Sequence, residues 1–129
     1  MLTFRLWDFE SQTRHADYSV VVVEPEWDEY RLHIGAYSGD AGDSFSFHNN
    51  QRFSAFDNDN DISSSNFAAI MSAGNWFAGW FRAGITNIYS TSPHLSMDWH
   101  GVVWNAWHGK SYSLKQVDMK IRPIDFVPT

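Results

Sequence analysis

Gly39–Phe67 reads GDAGDSFSFHNNQRFSAFDNDNDISSSNF. Its glycines suit tight turns with positive φ. Ser44 to His48 alternates as a short strand does, and Asn49-Asn50 marks a turn. Then comes an acidic knot, Asp57, Asp59 and Asp61, with asparagines between. Alternate carboxylates followed by a serine-rich turn with free carbonyls suit a hard cation that takes about six to eight oxygen ligands. An EF-hand does not fit. Its sixth loop position requires Gly where Ile62 stands, and its twelfth requires Glu where Ala68 stands. The knot is therefore either a cation loop or an exposed acidic turn capping a helix at Phe67, and spacing alone leaves both open.

Upstream, Leu2, Phe4 and Leu6 alternate with polar residues, predicting a strand with one buried face. Asp8 to Asp17 reads as a polar turn. Tyr18 to Val23 is β-branched and apolar on both faces, predicting a central strand. Glu24 to Glu29 is an acidic, solvated turn. Tyr30, Leu32 and Ile34 form a third alternating strand with His33 facing out. Gly35 to Asp43 reads as turn.

Downstream, Ser64-Ser65-Asn66 offers helix N-cap residues. Phe67, Ile70 and Met71 then share one helical face, and Gly74 stops the helix. Asn75 to Tyr89 has neither strand nor helix period and reads as a packed aromatic segment. Ser90 to Met97 is a polar loop, and Val102-Val103-Trp104 a strand. Tyr112 to Arg122 is the last strand. Its apolar parity switches between Leu114 and Val117, predicting a bulge near Lys115-Gln116. Pro123 and Pro128 close the chain. The pattern is α+β: a small antiparallel sheet core with one or two short helices and long irregular loops.

The 129 residues suffice for one domain and one core. With 43% hydrophobic and 17% aromatic residues, disorder is excluded. A net charge of −6 and only 9 Lys and Arg argue against nucleic acid, which demands clustered cations. No apolar run, Val20 to Val23 included, approaches a membrane span, and the N-terminal residues lack the apolar core of a signal peptide. The expectation is a soluble monomer. Cysteine is absent, which removes disulfides, thiolate zinc sites and cysteine nucleophiles.

No catalytic set emerges. Gly42-Asp43-Ser44 lacks the late Asp-x-x-His of a GDSL-type hydrolase, and no Gly-x-Ser-x-Gly elbow occurs. The six histidines form no zinc spacing and read as surface or core-edge residues. Glu24 and Glu26 sit in a turn without a pocket, a poor glycosidase pair. Trp76, Trp80, Trp99, Trp104 and Trp107 can stack sugars, but in a compact β-rich domain they chiefly fill the core. An enzyme is not expected.

Tyr30 to Asp61, YRLHIGAYSGDAGDSFSFHNNQRFSAFDNDND, resembles the fibrinogen C-terminal domain family, and the ficolins most of all. LWDFE, GVVWNAWHGKSYSLK and VDMKIRP resemble further segments of that family in the same order, from about Phe4 to Phe126. The resemblance implies a secreted, non-enzymatic recognition module, which in ficolins and related lectins binds acetylated sugars. It also implies a structural calcium ion held by the carboxylates of Asp59 and Asp61 and the carbonyls of Ser63 and Ser65, with Asp57 outside the first shell.

The departures from the family pattern carry their own expectations. The chain reads as a single domain over 1–129 without the family's N-terminal subdomain. The cysteines of the bridge after the calcium loop align with Phe67 and Trp80. A bridge of that loop size stabilises by about 3 kcal/mol. Two buried aromatic side chains contribute about 1.5–3 kcal/mol each, so packing can offset its loss. The family's ligand pocket aligns with Trp80, Phe81 and Arg82 to Asn87, where its histidine and Asn-Leu-Asn signature are missing. Trp80, Phe81, Tyr89 and Trp99 are the remaining candidates for contacting an acetylated sugar or peptide. A shortened, cysteine-free domain with aromatics at the bridge points to an engineered scaffold that retains its calcium and has lost or rebuilt its pocket. The absence of a leader is consistent with recombinant cytoplasmic expression. The alternative is a working calcium-dependent lectin.

Overall fold

A computed structural model describes residues 1–127, so Pro128 lies outside the described residues. The architecture is mostly β with short helices. Strands β1 (Leu2–Trp7), β2 (Thr13–Val23), β3 (Leu32–Gly39) and β6 (Gln116–Ile121) form one antiparallel sheet in the order β3-β2-β1-β6. Between β3 and β6 the chain leaves the sheet. It makes helix α1 (Phe67–Met71), a two-stranded pair of β4 (Ala83–Gly84) with β5 (Val103–Trp104), and helix α2 (Asn105–His108). No helix among the described residues is long and apolar enough to cross a membrane.

The period-2 pattern of β1 puts Leu2, Phe4 and Leu6 into the core and Thr3, Arg5 and Trp7 on the opposite face. Phe4 is the hub. Its ring meets Phe45 at 4.7 Å, Trp104 at 5.1 Å and Tyr18 edge-on at 6.2 Å. Trp104 donates its indole N–H to the Gly42 carbonyl at 3.0 Å, which satisfies its polar atom on burial. That close approach requires glycine. Gly42 has φ +84°, and a Cβ there would lie 2.6 Å from the Ala106 Cβ.

The fold class and the central position of β2 follow the sequence, while several boundaries differ. β2 begins at Thr13, so part of the expected Asp8–Asp17 turn is strand. Val20 and Val22 are exposed, so β2 is central in the sheet without being buried on both faces. β3 runs on through Gly35 to Gly39, with Ala36 left-handed at φ 57°. Ser44–His48 is not a strand. Phe45–His48 is a 3-10 turn, because both Phe45 and His48 must face inward and a period of 3 brings them to one side. α1 ends at Met71 with Ser72 left-handed, one turn before Gly74, and Ile70 faces solvent. β6 begins at Gln116. Lys115 donates to the Trp7 carbonyl (2.8 Å) although Gln116 is the register partner of Trp7, which is the extra residue the parity switch predicts.

Candidate functional site

The acidic knot folds as a succession of side-chain-to-backbone turns. Asp59 Oδ1 accepts the Asp61 N–H (3.2 Å), Asp61 Oδ1 accepts the Ser63 N–H (3.0 Å), and Ser63 Oγ accepts the Ser65 N–H (3.0 Å). Asp61 Oδ2 also accepts the Phe67 N–H at 3.2 Å, at the open start of α1 where a carboxylate is favoured. Asn66 caps the helix by accepting the Ala69 N–H at 3.1 Å. On the other side Asn60 anchors the loop. Its N–H donates to Ser54 Oγ, and its Nδ2 donates to the Phe53 carbonyl, both at 2.9 Å. Asp57 is exposed and stands outside these turns. Burial, with the neighbouring Asp59 charge adding to it, holds the Asp61 carboxyl above the usual carboxylate range.

Three of the four aromatic candidates come together. The Trp80 and Phe81 rings stack at 4.9 Å, and Trp99 meets Trp80 edge-on at 5.9 Å and Phe81 at 5.3 Å. Phe67 meets Trp80 edge-on at 4.8 Å, so the two positions aligned with the family's bridge touch through their rings. Phe81 is 0% exposed, which makes it a core residue of this cluster, while Trp80 and Trp99 are half-buried. Tyr89 is 53% exposed and does not join the stack. The Arg82 guanidinium lies over Phe47 (5.0 Å) and near Trp99 (5.9 Å).

Trp99 holds a left-handed backbone, φ 70°, which costs a non-glycine residue about 1–3 kcal/mol. Its N–H donates to the Lys110 carbonyl (2.7 Å), and its own carbonyl accepts from Asn87 Nδ2 (3.1 Å). Asn87 Oδ1 is buried and, among the described residues, has no hydrogen-bond partner.

Two polar centres escaped sequence reading. His48 is buried between the 3-10 turn and β4, with Nδ1 2.9 Å from the Trp76 carbonyl and Nε2 3.2 Å from the N–H groups of both Arg82 and Ala83. Asp8, Glu10 and His108 bring ligand-type atoms within 4.8 Å of one another. These atoms are already engaged. Asp8 Oδ2 pairs with His108 Nε2 at 3.0 Å, Asp8 Oδ1 accepts the Glu10 and Gln12 N–H groups, and Tyr112 donates its hydroxyl to Glu10. His108 also stacks on Tyr112 at 4.0 Å. The cluster ties the β1–β2 hairpin to α2. No sequence signal links positions so far apart.

The mostly antiparallel sheets with short helices and long loops have the architecture of a fibrinogen-like globe domain. Residues 1–124 match the C-terminal globular domain of fibrinogen beta and gamma chains, and the chain belongs to that family. Among its relatives, fibrinogen-like protein 1 of Bos taurus is 41% identical over 98% of this chain and 44% of the relative. Techylectin-5A of Tachypleus tridentatus is 42% identical over 98% of this chain and 43% of the relative. The fibrinogen-like globe domain of human ANGPTL2 superposes with a TM-score of 0.91 at 34% identity, covering 95% of this chain and 57% of that one. Lamprey fibrin D-dimer, complexed with the peptide ligand Gly-His-Arg-Pro-amide, gives a TM-score of 0.92 at 29% identity, covering 99% of this chain and 46% of that one. The chain spans less than half the length of the curated relatives it matches. The family is non-catalytic, and its members often bind calcium.

Proposed function

We propose that this chain is a non-catalytic recognition domain with a structural calcium site, engaging an acetylated sugar or a short peptide at its aromatic face. The calcium ligands are the carboxylates of Asp59 and Asp61 and the carbonyls of Ser63 and Ser65. The donor set fits: it is all oxygen, as a hard cation demands, and Asp61 carries a charge that burial and Asp59 both disfavour and a divalent cation relieves. One observation carries the ligand face. The half-buried Trp99 ring is held on a strained backbone directly bonded to Asn87, whose second amide atom lacks a partner. Strain and an unpaired buried acceptor are costs that persist where a site uses them. Trp80 and Trp99 supply the apolar contact there, with the fully buried Phe81 behind them.

A second reading is an engineered scaffold with no ligand. It is favoured by the fully buried Phe81 and by the Phe67–Trp80 contact, where packing stands in the place of a bridge. Titration with N-acetylglucosamine and with acetylated albumin, with and without calcium, separates the two. Saturable, calcium-dependent quenching of tryptophan fluorescence supports recognition. Silence in both titrations, together with high thermal stability, supports the scaffold.

A further inference from the structure

Arg82 immediately precedes β4 and stands between two residues that are 0% exposed, Phe81 and Ala83. Extended backbone sends those two inward and turns Arg82 outward. Its main chain is fixed at both ends. The N–H donates to His48 Nε2 at 3.2 Å, and the carbonyl accepts the Asn105 N–H at 3.0 Å. From this anchored backbone the side chain reaches the aromatic face. Its guanidinium carbon lies 5.0 Å from the centre of the Phe47 ring and 5.9 Å from that of Trp99, and Trp99 in turn meets Trp80 at 5.9 Å.

The cation is held there without being neutralised. Among the described residues no carboxylate pairs with the Arg82 guanidinium, and its side chain makes no hydrogen bond. Asp98, the chain neighbour of Trp99, is engaged elsewhere. Its Oδ1 accepts from Ser111 Oγ at 2.8 Å, and its Oδ2 lies 3.6 Å from Lys110 Nζ. Arg31 shows the contrast, because its guanidinium is spent on the Asp28 carboxylate and the Asn50 carbonyl. An aromatic ring attracts a guanidinium through its quadrupole and takes none of its five donors in a strong hydrogen bond. Two rings also restrict the side chain beforehand, which lowers the entropy lost when a ligand arrives.

We propose that Arg82 makes this face selective for an acetylated ligand that also carries a carboxylate. This charge preference presupposes that the Trp80–Trp99 face is the ligand site. The rings take the apolar part of the ligand. The guanidinium receives both carboxylate oxygens through two parallel N–H bonds, a geometry that planar arginine offers and lysine does not. The net charge of −6 does not oppose this at contact range, because charges farther than about 10 Å are largely screened at 0.1 M salt. An acidic sugar and the acidic end of a peptide present the same group to Arg82. The competing account is that Arg82 only covers the Phe47 and Trp99 rings, and it predicts indifference to the charge of the ligand.

The test is tryptophan fluorescence titration of the full chain, in calcium, with two pairs of probes matched except for charge. N-acetylglucosamine is set against N-acetylmuramic acid, which adds a lactyl carboxylate. Acetyl-diglycine amide is set against acetyl-diglycine as the free acid. Within the pair that binds, the acid should bind about tenfold or more tightly than its neutral partner, as a charge-assisted hydrogen bond implies. Which pair binds identifies the sugar or the peptide as the source. Arg82→Gln should abolish the preference for the acid, while Arg82→Lys, which keeps the charge without the fork, should retain part of it. Circular dichroism verifies that both variants fold. Acid and neutral probes that bind the wild type alike overturn the proposal and leave the ligand site standing. A preference that survives Arg82→Gln, or an equal loss of acid and neutral probes in both variants, overturns it too. If none of the four probes binds, the ligand site itself falls and the charge preference falls with it.

Discussion

Acidification should destabilise this domain through His48, and the size of the effect follows from its hydrogen bonds. The Arg82 and Ala83 N–H groups can only donate, so Nε2 must accept. Nδ1 then carries the proton and donates to the Trp76 carbonyl. Protonating Nε2 would break two backbone hydrogen bonds and place a charge in a site that is 0% exposed. Burial pushes the imidazole down from 6.5 to about 4, with the Trp76 carbonyl opposing. Because the folded value lies below the unfolded one, the stabilisation is complete above about pH 6.5 and is lost progressively as pH falls towards 4. At about 1.4 kcal/mol per pH unit, that interval is worth about 3 kcal/mol. Set against a typical total of about 5–15 kcal/mol, this is a large share. Urea melts at a series of pH values should show it, with His48→Gln as the reference in which this imidazole cannot titrate. The His48→Gln protein starts less stable, but its curve should lack the acid-dependent loss. Parallel curves for the two proteins between pH 6.5 and 4, or a His48 ring resonance that titrates near its ordinary value, would refute the assignment.

Four further outcomes are expected. Calcium should raise the melting temperature of the wild type, and Asp59→Ala should abolish that gain; an unchanged gain would remove Asp59 from the ligand set. Phe4→Ala deletes the ring shared by Phe45, Tyr18 and Trp104, and should cost about 3–5 kcal/mol in denaturant melts. Gly39→Ala should be disproportionately damaging for so small a change. Its φ is +128° and the new Cβ would sit 2.4 Å from the His15 carbonyl oxygen, so a loss of about 1–3 kcal/mol is expected from backbone strain alone. Asp8→Ala leaves the Glu10 and Gln12 amides and His108 without their shared acceptor, and proteolysis should then open the β1–β2 hairpin first.

What the sequence determined by itself is the set of features written in short-range pattern. The alternation of Leu2, Phe4 and Leu6, the cap at Asn66 and the parity switch before Val117 each depend on residues within a few positions of one another, so backbone geometry alone dictates them. The family was legible for the same reason: its motifs are contiguous and ordered. Tertiary structure decided what depends on contacts between distant segments. Whether Ser44–His48 is strand or 3-10 turn rests on Phe4 and Trp76, which draw Phe45 and His48 to one side. His48 became a buried, neutral keystone only because Trp76, Arg82 and Ala83 converge on its ring. The union of Phe67, Trp80, Phe81 and Trp99 and the lock of Asp8 with His108 likewise emerge only when remote stretches meet. Local pattern fixes which way a side chain points, and only the folded chain fixes what it meets there.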